Sequence, residues 1–161
     1  MPEIVELPER PYIGVRSTVT MSTIPTIADR IGEIVGWLAG RGVAPAGAPF
    51  LRYESFEPDG EAMVLQAGVP VAEPVEAEGD YFAGVLPSGR YATATHRGPF
   101  DGLAGATGAL LAWGAEQGVK WDVTDRDGAE HWGCRLELYT TDPRTEPDPA
   151  GWLTELQIRL A

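Results

Sequence analysis

Several absences narrow the function of this sequence before any motif is considered. Cys134 is the only cysteine, so no intramolecular disulfide can form and a cysteine-rich zinc site is excluded. No apolar run approaches the ~20 residues that a membrane-spanning helix needs. The opening stretch MPEIVELPER is acidic and has no apolar centre, so it does not read as a secretory signal. Basic clusters are missing as well. Twelve Lys and Arg face 24 Asp and Glu for a net charge of -12, a field that repels nucleic-acid phosphate over most of the surface. A reducing cytoplasm is the expected setting, with no nucleic-acid or membrane partner. A monomer or weak homodimer is expected. A helix-turn-helix is not expected before Tyr12.

Familiar catalytic and cofactor signatures are also absent. GATGALLAWG lacks the lysine of a phosphate-binding loop and does not directly follow a strand. PSGR reads as a hairpin turn and not as a nucleophile elbow. RDG with its nearby acids lacks the alternating carboxylate spacing of a calcium loop. His96 and His131, the two histidines, do not suggest a metal site, and no cofactor is expected.

What is present is an ordinary globular composition, 43% hydrophobic and 22% charged over 161 residues. The chain also reads as a duplication. RPYIGVRSTVT is a β-branched strand, and IPTIADRIGEIVGWLAGRGV follows as a helix with Ile27, Ile31, Ile34, Val35 and Leu38 on one stripe. Gly40 and Gly42 are its stop signals. PFLRYESF and EAMVLQAGVPV are strands joined by the Pro-Asp-Gly turn of EPDG. The order then recurs: YFAGVLPSGRYATATHRG gives a short and a longer strand, PFDGLAGATGALLAWGAEQGV a helix, and WGCRLELYT and LTELQIRL two strands. Trp37 matches Trp113, Gly42-Val43 matches Gly118-Val119, and Tyr12 matches Tyr91. The reading is α+β: two fused strand-helix-strand-strand modules, about 10–72 and 80–161, related by a pseudo-two-fold. Their antiparallel sheets meet side by side with both helices on one face, and a cleft between the modules is the expected ligand site.

In CRLELY, Cys134, Leu136 and Leu138 alternate with Arg135, Glu137 and Tyr139. If the apolar set faces the helices, the polar set faces the cleft. Burying a lone carboxylate costs several kcal/mol unless something pairs it. The alternative is a solvated face or an Arg135–Glu137 pair.

The run GVLPSGRYATATHRGPFDGL, with LELYTTDP and the final TELQIRL, resembles the GyrI-like family. These gyrase-inhibitor-like domains are found also as effector-binding domains of AraC- and MerR-type multidrug regulators. The resemblance spans about Pro11 to Leu160, and PSGRYA…HRGPF is its most specific part. It implies an aromatic-lined cleft between the modules, with a buried glutamate on the penultimate strand at the place of Glu137. It further implies bulky, often aromatic and cationic ligands. A subset of stand-alone members are hydrolases that open cyclopropane rings in alkylating natural products. One departure is visible: members often end in an I-P-[VLI] pattern, and here the last strand reads Ile158-Arg159-Leu160.

The candidate ligand-binding set is Glu137, Tyr139, Tyr53, Trp113, Trp132, Trp152, Arg135 and His96. Tyr53, Trp113, Trp132, Tyr139 and Trp152 offer flat faces for rings and cations. Trp37 reads as core, Trp113 as core or cleft rim, and Trp152 as part of a lid at the end of the proline loop. His96 reads first as a junction residue before the helix, and second as an acid or base. His131 reads as a surface loop residue. If the protein is an enzyme, Glu137 is the base and Tyr53 or Tyr139 the proton donor. Three functions are expected in order: a stand-alone binder of bulky aromatic or cationic compounds, a hydrolase of the same fold, and an inhibitor that docks on a protein by its acidic surface.

Overall fold

The computed structural model describes residues 2–161. Ten strands and three helices run in the order β1 (Glu3–Leu7), β2 (Arg10–Val19), α1 (Ile24–Ala28), α2 (Arg30–Gly40), β3 (Phe50–Phe56), β4 (Met63–Pro70), β5 (Phe82–Leu86), β6 (Gly89–Arg97), α3 (Leu103–Glu116), β7 (Val123–Arg126), β8 (Ala129–Trp132), β9 (Arg135–Tyr139) and β10 (Leu153–Arg159). The two modules are β2-α1-α2-β3-β4 and β6-α3-β9-β10. Among the described residues every pairing is antiparallel; eight strands follow the order β1-β6-β10-β9-β3-β4-β2-β5, and off this path β8 pairs with β3 and β7. The seam between the modules is β3 against β9.

The helix ends match in chemistry. Gly42 and Gly118 both take left-handed φ, 72° and 73°. Val43 N–H then bonds to Leu38 O at 3.0 Å, and Val119 N–H to Gly114 O at 3.1 Å, the same carbonyl-capping arrangement in each module. The single helix expected over IPTIADRIGEIVGWLAGRGV is divided at Asp29 into α1 and α2.

Two links determine the shape. β1 lies on the outer side of β6, yet only Pro8 and Glu9 separate it from β2 at the far end of the sheet. β5 lies on the outer side of β2, yet only Pro87 and Ser88 separate it from β6. A two-residue link spans roughly 10 Å at full stretch, so the sheet must curl until its ends meet. The strand that leads into each module thus forms the edge of the other. The expected hairpin at PSGR is therefore corrected: Pro87 and Ser88 carry the chain across, and β5 and β6 pair elsewhere. Arg159 braces this link, donating to Ser88 O at 2.8 Å and to Asp122 at 2.8 Å. Its backbone N–H also bonds to Cys134 O at 2.9 Å, a bond that a proline at this position could not make.

The inside of the curl is a core of Tyr12, Phe50, Leu86, Tyr91, Cys134, Leu136 and Leu138, drawn from both ends and the middle of the sheet. Each large side chain buried there contributes about 1.5–3 kcal/mol. Tyr12 packs edge-on against Phe50 and Phe82, with centroids 5.1 and 5.8 Å away. Gly68 and Gly84 make room for these rings: a Cβ on Gly68 would lie 2.5 Å from Phe50 Cζ, and one on Gly84 2.6 Å from Tyr12 Cζ. The other sheet face carries the helices. Ile27, Ile34 and Leu38 pack on Ile13, Leu51 and Leu65. Leu103 and Leu110 pack on Ala92, Leu156 and Ile158.

The expected facing of β9 is reversed by this arrangement. Cys134, Leu136 and Leu138 turn away from the helices into the curl, and Arg135, Glu137 and Tyr139 lie on the helix side. A curled sheet buries its inner face without helices. RDG forms the expected turn, with Asp127 and Gly128 at φ 56° and 85°. It closes the β7–β8 hairpin, so His131 belongs to a strand paired with Ser55 and is half-buried, not a surface loop residue.

Gly68→Ala should lower stability by about 1–3 kcal/mol, because rings of the inner core cannot retreat from the added methyl. Gly36→Ala on the open face of α2, where nothing lies within 4 Å, should raise it by about 0.5–1 kcal/mol. Urea denaturation of both variants checks the opposite signs.

Candidate functional site

The register across the seam produces one continuous row, Val15–Ala67–Leu51–Glu137–Leu156–Ala94, over six strands. Directly paired residues share a face, so the row is the floor of the helix side. Five members are apolar and one is a carboxylate. Val15 and Ala94 stand at the same distance from Tyr12 and Tyr91, so Leu51 is the counterpart of Glu137 in the first module. Two residues on, Tyr53 is the counterpart of Tyr139.

Above this floor α1 and α2 on one side and α3 on the other leave a cavity of about 1480 Å³. Ile31 and Val35 wall it on one side, Leu103 and Leu111 on the other. Met21 and Phe100 open the two helical segments at matching places and stand at its rim, 68% and 42% exposed. Exposed to solvent and lining the cavity at once, they mark its mouth.

Glu137 accepts a hydrogen bond from Tyr139 Oη at 2.9 Å, and Tyr53 reaches toward the same carboxylate. Burial holds the Glu137 carboxyl above the usual carboxylate range, opposed in part by these hydroxyls, by Arg135 and by His96. Burial likewise raises both tyrosines, and the neighbouring Glu137 charge adds to it. A β-bulge between Tyr53 and Ser55 lies at the end of the seam, a common device for aiming a side chain next to a site. Arg135 does not pair with Glu137. Its guanidinium lies against the rings of Trp132 and Phe56, 4.7 and 4.8 Å from their centroids.

Of the candidates, Glu137, Tyr139, Tyr53 and Arg135 line the cavity together. Trp132 stands behind Arg135. Trp152 packs on Phe100 at 4.8 Å and donates Nε1–H to Glu146 O at 2.7 Å, which places it behind the rim. Trp113 belongs to the second module's core and Trp37 to the first's. His96 stands at the junction before α3: its Nε2 lies 3.0 Å from Pro99 O, and its ring packs against Gly102. Sequence reasoning missed Leu51, Leu156, Ile31, Val35 and Phe100. Ile31 and Val35 are offset from the Ile27–Ile34–Leu38 line, and a stripe wider than one packed face was the available signal.

The whole sequence, residues 1–161, matches the GyrI-like small molecule binding domain. The chain belongs to the GyrI-like family. No curated protein matches it. Among solved structures, this GyrI-like chain is similar to the EcmrR C-terminal domain, at 22% identity and TM-score 0.78, over 100% of this chain and 97% of that one. It spans 57% of the EcmrR chain solved in a DNA complex. It is also similar to SAV2435 bound to tetraphenylphosphonium, at 14% identity and TM-score 0.65, over 100% and 94% of the two chains. A hydrolase from Listeria innocua is similar at 14% identity and TM-score 0.61, over 99% and 91%. At these identities the likeness is one of fold. Among the described residues no helix is long and apolar enough to cross a membrane, and no group of metal-ligating side chains is present.

The raised Glu137 carboxyl has a consequence for stability. Its folded pKa lies above its unfolded value, so stability is full below the unfolded pKa, near 4, and declines as pH rises through the folded one. Glu137→Gln should therefore be more stable than the native chain at pH 7, with the difference shrinking toward pH 4. Urea midpoints at the two pH values check it.

Proposed function

We propose that this small-molecule-binding domain takes bulky aromatic cations into the cavity, with Glu137 as the counter-charge. One observation carries the reading: a lone carboxylate sits in an otherwise apolar row, and among the described residues it forms no ion pair. Such a group costs stability in the empty protein, and a ligand cation offsets that cost. The volume favours large ligands, since pockets for drug-sized molecules occupy about 300–1,000 Å³. Phe100, Tyr139 and Tyr53 supply ring faces beside the carboxylate, each worth about 0.5–2 kcal/mol against a cation. The similar fold of SAV2435, solved with tetraphenylphosphonium, supports the same ligand class. Glu137→Gln should weaken a lipophilic cation such as tetraphenylphosphonium by roughly ten-fold or more, and should leave neutral tetraphenylmethane derivatives nearly unaffected. Equal losses, read by tryptophan fluorescence titration, would remove the charge-recognition role.

A second reading is favoured by the contact of Glu137 with two phenols. A carboxyl that burial holds above its usual range is a stronger base toward water, and Tyr53 or Tyr139 is placed to donate to an oxygen that gains charge. Opening an activated cyclopropane conjugated to a carbonyl needs that pair and flat walls. With substrate in many-fold excess, a water-added product is expected by mass spectrometry only if this chemistry operates, and it should be lost in Glu137→Ala. Uptake that stops at one equivalent without product leaves a binder.

A further inference from the structure

Arg135 precedes Glu137 by two residues on the same face of β9 and lines the same cavity. Its guanidinium stands 4.7 Å from the centroid of Trp132, 4.8 Å from Phe56 and 5.9 Å from Tyr53. The Tyr53 and Phe56 rings are nearly parallel, at 11°. Together the three rings form a box of the kind that recognises ligand cations, and the chain's own cation already occupies it. Stacking holds the guanidinium plane and leaves its edge donors free. Arg10, Arg52 and Arg159 donate to protein oxygens at 3.0, 2.8 and 2.8 Å, whereas among the described residues Arg135 has no hydrogen bond or ion pair. Glu130, the nearby acid of β8, accepts from Trp132 Nε1–H at 3.4 Å instead.

We infer that Arg135 is an anion-binding subsite of the cavity and that the ligand is amphoteric, a bulky aromatic cation that also bears a carboxylate or similar oxyanion. This deepens the reading above and rests on it. Glu137 takes the cationic end and Arg135 the anionic end. Residues two apart on a strand are separated by roughly 6.5 Å, and Arg135 leans away toward Trp132, so a ring system fits between the two groups. A ligand with a cation alone leaves the Arg135 donors without an acceptor and meets a like charge beside Glu137. An oxyanion removes both penalties through a charge-assisted bond.

Rhodamine B carries a carboxylate beside a cationic ring system, and its ethyl ester carries the cation alone. The native chain should bind rhodamine B at least about ten-fold more tightly than the ester in fluorescence titration. Arg135→Met and Arg135→Gln, two shapes that remove the charge, should each abolish that preference, and ester binding should improve as the like charge beside Glu137 is removed. Equal or tighter binding of the ester by the native chain overturns the inference, as does a preference that survives either substitution. In both cases ester binding that falls in Glu137→Gln leaves the cation reading standing. If the native chain binds neither dye, both readings fall together.

Discussion

The pairing of β3 with β9 is the contact on which the rest depends. It joins the two modules into one sheet and sets Leu51 opposite Glu137. Side chains alternate along a strand, so a slip of one residue would turn Glu137 into the inner core and bring Leu136 or Leu138 to the cavity floor. Inner packing of Phe50, Leu136 and Leu138 opposes that slip, because burying a carboxylate there would cost several kcal/mol. The packed face thus maintains the register of the functional one.

The exchange of edge strands separates those two faces. Links of two residues force the sheet to curl, and the curl closes a core that needs no helix. The helices then have only part of their surface committed to packing. Ile34 and Leu38 of α2 are fully buried, whereas Ile31 and Val35 face open volume. A cavity between helices survives because the stability of the sheet does not depend on filling it.

The scaffold is nearly symmetric and the site is not. Tyr53 and Tyr139 match across the pseudo-two-fold, as do Met21 and Phe100 at the rim. The charges break the symmetry. Arg135 and Glu137 come from the second module, where the first has Pro49 and Leu51. An aromatic, two-sided cavity accepts ring systems in general, and a one-sided pair of opposite charges orients them.

Much of this was legible in the linear sequence. Duplicated order, the Gly42 and Gly118 stops and the alternation of CRLELY follow from local backbone preference and side-chain period, which act between near neighbours. Alternation put Arg135, Glu137 and Tyr139 on one strand face, and the GyrI-like resemblance marked Glu137 as a ligand residue. What the folded chain decided is which distant groups meet. Alternation divides Cys134 from Arg135 but does not say which side the helices cover, and the curl reversed the expected answer. PSGR has turn residues whether it closes a hairpin or crosses the sheet. Arg135 is a cation in any strand, and only the packing of β8 against β3 surrounds it with Trp132, Phe56 and Tyr53. Such outcomes depend on long-range pairing, where the cost of closing the chain is set against surface buried far along it, and no local pattern encodes that balance.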